Sequence, residues 1–160
     1  MDEGTKSFWV KGPAQMTSTD LFLIHVACTW ALVGLIWIVQ WVQYPGFRLV
    51  GEAQWKDFHE SHCARIAWVV APLMFGEVLT GIALLVWPLS GVSREFLSVG
   101  LGLILIIWVS TAALSVPLHQ QLKHHNPKAQ QRLVLTNWVR TIAWTIRGLG
   151  ALYLLREWVA

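Results

Sequence analysis

Residues 59–88, HESHCARIAWVVAPLMFGEVLTGIALLVWP, decide the fold class. The segment opens on His59-Glu60-Ser61-His62-Cys63-Ala64-Arg65, two histidines with an acid and a base. It then turns apolar through Ile66, Ala67, Trp68, Val69 and Val70. An apolar helix of this length crosses a hydrocarbon core of about 30 Å. The segment still carries Glu77 at depth, and an ionisable group inside a span marks either a site or a buried pair. Pro72 predicts a kink and a freed carbonyl that a neighbour must satisfy.

Outward from this segment the same pattern recurs. Of the 160 residues, 55% are hydrophobic and 13% charged, with a net charge of +3 and 11 Trp. Soluble domains average about 25% charged residues. Mean hydropathy is +0.50 and the pI is near 9.1. Basic residues of a membrane protein gather at the cytoplasmic lipid surface. No soluble basic domain remains once the spans are removed, so nucleic acid is excluded as a partner. Cys28 and Cys63 belong to different spans at depths that differ by more than about 20 Å, too far apart for an internal disulfide.

The chain divides into a polar N-terminal tail, 1–19, and one membrane domain, 20–159, with spans near 21–43, 60–88, 96–118 and 137–158. In the tail Gly12-Pro13 is a breaker, and Trp9 and Val10 can touch the interface. No cleavable signal is expected. Thr19 or Asp20 caps span one. In that span His25, Thr29, Gln40 and Gln43 share a polar stripe that should face protein. Tyr44-Pro45-Gly46 stops it. Residues 46–58 read as an amphipathic link with Phe47, Val50, Trp55 and Phe58 on the headgroup layer. Span three is almost wholly apolar and ends at Pro117, followed by a basic loop from Leu118. Asn137 heads span four. The fold class is therefore all-α, a four-helix transmembrane bundle running up-down-up-down. Seven basic residues (Arg48, Lys56, Arg65, Lys123, Lys128, Arg132, Arg140) against four (Lys6, Lys11, Arg94, Arg156) place loops one and three in the cytoplasm and the termini outside.

That topology brings Tyr44, His59, Glu60, His62, Arg65, His119, Asn137 and Arg140 to one membrane face. His59 and His62, three apart on a helix, have suitable spacing to hold one metal ion, with His119 as a third ligand. Two other roles fit them: interfacial side chains bonded to headgroups or water, and proton carriers. Tyr44, Glu60, Arg65, Asn137 and Arg140 are the candidate catalytic residues around them. A deeper layer holds His25, Glu77 and Arg147, whose depths overlap once tilt is allowed. Glu77 should pair with Arg147 or His25, either as a structural ion pair or as a ligand or proton site. Trp144, between Arg140 and Arg147, can stack on a guanidinium or line a pocket. Gly148, Gly150 and Ala151 allow another helix to approach closely. Phosphate-loop, nucleophile-elbow and zinc-protease motifs are absent.

His25, Gln43-Tyr44-Pro45-Gly46-Phe47, Ser115-Val116-Pro117-Leu118-His119 and Asn137-Trp138-Val139-Arg140-Thr141 together resemble a group of uncharacterised small four-span bacterial integral membrane proteins. More distantly, His25 with Trp30 and Gly34, and Pro72 in span two, are similar to the four-helix haem-binding protoporphyrinogen oxidases. That resemblance implies haem ligated by His25, although the membrane-embedded lysine of that family has no counterpart in span three here.

These readings converge on an integral protein of the bacterial inner membrane. Its polar site would bind a metal ion or haem b for redox chemistry. His59, His62 and His119 are the metal ligands, and His25, Glu77, Trp144 and Arg147 the cofactor-binding residues. The other reading is a non-catalytic subunit of a larger membrane complex. Its partners would be the lipid bilayer and either other subunits or further copies of itself.

Overall fold

The computed structural model describes residues 16–159, and these are helical almost throughout, with no strand among them. The expectations for Trp9, Val10 and Gly12-Pro13 lie outside the described residues. Four helical rods follow one another. The first comprises α1 (Ser18–Ile38), a π-helical turn (Val39–Gln43), α2 (Tyr44–Gly46) and a 3₁₀ turn (Phe47–Leu49). The second is α3 (Glu52–Val86). The third comprises α4 (Arg94–Ser110), a π-helical turn (Thr111–Ser115) and α5 (Val116–Leu122). The fourth is α6 (Pro127–Val159). The first three rods are long and apolar enough to cross a membrane.

The rods begin where local chemistry satisfies free backbone N–H groups. Thr17, rather than Thr19 or Asp20, caps α1. Its hydroxyl accepts from the Asp20 N–H while the Asp20 carboxylate accepts from the Thr17 N–H, a reciprocal capping box. Ser93 caps α4 by accepting from the Phe96 N–H. Gly91, at φ +83°, makes the turn before it.

The two expected stops at proline do not occur. Pro45 and Pro117 each sit near the start of a new helical segment, where a missing N–H costs nothing. Each is preceded by a π turn: the Tyr44 N–H reaches back to Val39 and the Val116 N–H to Thr111. The extra residue in such a turn rotates everything beyond it. The first rod therefore runs to Leu49, His119 lies on a helix rather than in a loop, and the basic loop shrinks to residues 123–126. The amphipathic link is likewise replaced by the start of α3. Phe47 and Trp55, expected on the headgroup layer, are buried beside His59. At its other end, α6 starts ten residues before Asn137, which places Asn137 and Arg140 within the helix instead of at its head.

Polar residues are buried within an apolar core, and the outer faces of the rods are apolar. Thr29, Gln40, Glu77, Asn137, Thr141 and Arg147 are buried, while Trp68, Leu79, Val99, Leu105 and Val109 are exposed. Helix α6 follows the same rule. In its middle Asn137, Arg140, Thr141 and Arg147 face inward, Leu135, Val139, Ile142, Ile146, Leu149 and Tyr153 form an exposed apolar stripe, and the charged Lys128, Arg132, Arg156 and Glu157 are exposed at its two ends. Gly148 lets α6 lie against α1, since a Cβ there would stand 3.0 Å from Val33 Cγ2. Gly150 faces Phe96 of α4 in the same way.

Candidate functional site

Two polar centres lie along the bundle. In the deeper one, Glu77 pairs with Arg147, with Nε to Oε1 at 3.0 Å. Thr29 donates to the same oxygen at 2.9 Å, and Trp144 Nε1 donates to the other at 3.1 Å. The remaining Arg147 nitrogens donate to the Gly100 carbonyl and to His25 Nε2. His25 Nδ1 lies 2.9 Å from the Thr80 hydroxyl, which itself donates to the Gly76 carbonyl. The Thr80 proton is thus already used, so the His25 proton sits on Nδ1 and Nε2 accepts from Arg147. Both ring nitrogens are engaged. His25 offers no free lone pair, and these residues do not fit haem at that position.

The second centre is built from α2, α3, α5 and α6. His59 Nε2, Cys63 Sγ and His119 Nδ1 form a triangle with edges of 3.2 Å (N to N), 3.6 Å and 3.7 Å (S to each N). His59 and Cys63 are one helical turn apart on α3, and the rotation imposed by the second π turn presents His119 to them. Trp55 stacks on His59 at 5.3 Å between ring centroids and Phe47 meets it edge-on. These contacts hold the imidazole in place. Tyr44 Oη lies 3.2 Å from His119 Nε2 and accepts from Arg140 Nη2 at 3.2 Å. Because Arg140 can only donate, the phenol proton is directed at His119, and His119 carries its own proton on Nδ1, toward His59.

Behind Tyr44 the network continues through neutral groups. Arg140 Nη2 also donates to Asn137 Oδ1, and Asn137 Nδ2 donates to Gln40 Oε1 at 2.7 Å. Gln40 Nε2 donates to the Val134 carbonyl and Gln130 Nε2 to that of Tyr44. A cavity of about 670 Å³ opens beside this centre. It is lined by Tyr44, His59, His62, Cys63, His119, Arg140 and Trp144 at its polar edge and by Ile36, Val70, Met74, Phe75 and Trp108 beyond.

The remaining candidates fall elsewhere. His62 Nδ1 bonds Gln43 Nε2 at 3.0 Å, so His62 sits beside the triangle and Cys63 completes it. Glu60 and Arg65 are exposed, and Arg65 lies with Ser61 and His62 on an outer groove. Cys63 is the residue that sequence reasoning passed over. Its signal was the His59-x-x-x-Cys63 spacing, which puts two donors on one helix face. No family model matches the chain, and no curated protein or solved structure matches it.

Proposed function

We propose that this is an integral membrane protein that binds one transition-metal ion through His59 Nε2, Cys63 Sγ and His119 Nδ1, with a fourth position open to the cavity. The observation that carries this reading is the triangle. Tetrahedral zinc, with metal–nitrogen bonds of about 2.0–2.1 Å and a metal–sulfur bond of about 2.3 Å, requires N to N edges of about 3.3–3.4 Å and N to S edges of about 3.5–3.6 Å. The observed edges of 3.2, 3.6 and 3.7 Å lie close to those values. Three mutually adjacent donors suit a single ion. A haem iron, whose equatorial positions are filled by the porphyrin, leaves only axial positions for protein ligands.

Two nitrogens and a thiolate favour borderline-soft ions such as zinc, cobalt(II) or copper, and a vacant fourth position is the mark of catalytic rather than structural sites. Copper there would give redox chemistry; zinc would supply a Lewis acid. Binding would release the Cys63 thiol proton and shift the His119 proton from Nδ1 to Nε2. With the ion bound, His119 would hold its proton on Nε2, and Tyr44 Oη, kept in place by Arg140, would accept it. A ligating histidine is ordinarily steadied by such a partner.

Membrane insertion is supported by the three long apolar rods, by their exposed apolar faces and by the apolar stripe of α6, which would make the fourth span. The excess of basic residues at the metal end supports its placement on the cytoplasmic side. The small-residue face of α6 is not free for a partner subunit, because Gly148 and Gly150 already receive α1 and α4.

The test is a cobalt(II) titration of detergent-purified protein. We expect about one ion per chain with a sulfur-to-cobalt charge-transfer band. Cys63→Ser should abolish the band and His119→Ala should abolish binding, with the helical circular dichroism retained. Folded protein that takes up no cobalt, zinc or copper would overturn the proposal.

A further inference from the structure

Arg140 is a buried cation without a counter-ion. It is 8% exposed, yet the single ion pair among the described residues is that of Glu77 with Arg147. Its hydrogen bonds run through Nη2 to two neutral groups, Tyr44 and Asn137, and its buried Nε has no partner. A guanidinium in such a place is costly unless an anion joins it. Two structural facts say what kind. Arg140 lines the 670 Å³ cavity, a volume within the roughly 300–1,000 Å³ of small-molecule sites. Away from Arg140, Lys123 and the histidines the lining is mainly apolar, from Ile66 and Val70 to Met74, Phe75 and Trp108, with the hydroxyls of Thr111 and Ser115 among it. Lys123, the other fixed cation on the lining, is exposed.

We infer that this cavity binds an anionic amphiphile, with its oxyanion on Arg140 and its apolar chain between α3 and α4. A free anion would satisfy Arg140 but not the apolar lining. An uncharged lipid would cover the lining and leave Arg140 unpaired. The inference gives an occupant to the cavity beside the proposed metal centre. It rests on Arg140 and the lining rather than on the ion, so protein stripped with a chelator should bind the same ligand.

The experiment is equilibrium binding of radiolabelled palmitate to the full chain in uncharged detergent, with and without a chelator. Hexadecanol, acetate and inorganic phosphate serve as competitors. We expect about one palmitate per chain and competition by hexadecanol at least tenfold weaker than by unlabelled palmitate, because a charge-assisted contact is lost. Acetate and phosphate should fail to compete. Arg140→Gln should bring palmitate and hexadecanol to equal affinity. Should that variant misfold, Ala67→Trp, which fills the cavity from an exposed position on α3, should abolish palmitate binding in folded protein. Equal affinity for hexadecanol, full competition by acetate or phosphate, or unaltered binding in folded Ala67→Trp would each overturn the inference. Palmitate binding that survives the chelator while cobalt uptake fails would separate this inference from the metal reading.

Discussion

At Glu77 a buried carboxylate meets a buried guanidinium at 3.0 Å, and Thr29 and Trp144 supply its other donors. At Arg140 a guanidinium of similar burial meets a phenol and an amide and has nothing negative beside it. The first centre is closed and charge-matched, and its hydrogen bonds tie α1, α3, α4 and α6 together. The second is charge-unmatched, lies against a cavity and holds three converging donor atoms whose geometry suits an ion. The same residue types thus close one centre and leave the other open. What separates them is whether the partners are already present within the fold.

The sharpest way to break this contrast is Glu77→Ala. Removing the carboxylate leaves Arg147 buried and unpaired, and we expect a loss of about 3–5 kcal/mol in detergent unfolding. Replacing the pair by Glu77→Leu with Arg147→Met should recover most of that, since well-packed apolar residues substitute for a buried pair at little cost. Full retention of stability in Glu77→Ala would show that the deeper centre is not the structural one.

Tyr44→Phe probes the other side. Loss of the phenol should weaken metal binding about 10–100-fold, as for other groups that steady a ligand, while stability falls by only about 1 kcal/mol. If stability fell as far as in Glu77→Ala, the two centres would not differ in kind. At the start of α1, away from the metal centre, Thr17→Ala removes half of the capping box and should cost about 1 kcal/mol without altering metal affinity. The smallest effects belong to Glu60→Gln and Arg65→Gln. Both side chains are exposed, so stability should stay within about 0.5 kcal/mol and metal affinity unchanged. A clear loss of metal binding in either would return these residues to the site.

The choice between His62 and Cys63 shows where linear reading runs out. Both stand one helical turn from His59, at i+3 and i+4, and either spacing allows two donors on one face. Only the seating of α5, rotated by the π turn at Thr111–Ser115, puts His119 Nδ1 beside Cys63 and leaves His62 to Gln43. Proline shows the same limit. In the sequence Pro45 and Pro117 read as stops because proline lacks an N–H, but a π turn beforehand lets the helix resume with proline in its first turn.

Composition and periodicity by themselves determined the helical class, three of the apolar rods, the inward polar stripe of α1 and the need for Glu77 to find a cation. Each follows from a local rule: an apolar helix satisfies its own backbone, and a buried charge needs a partner. Tertiary structure alone decided that the cation is Arg147, that Cys63 joins the two histidines, and that Arg140 is left without an anion beside a cavity. Those outcomes depend on helix rotation and on differences of an ångström or two between side chains far apart in the chain, and no spacing rule along one helix contains that information.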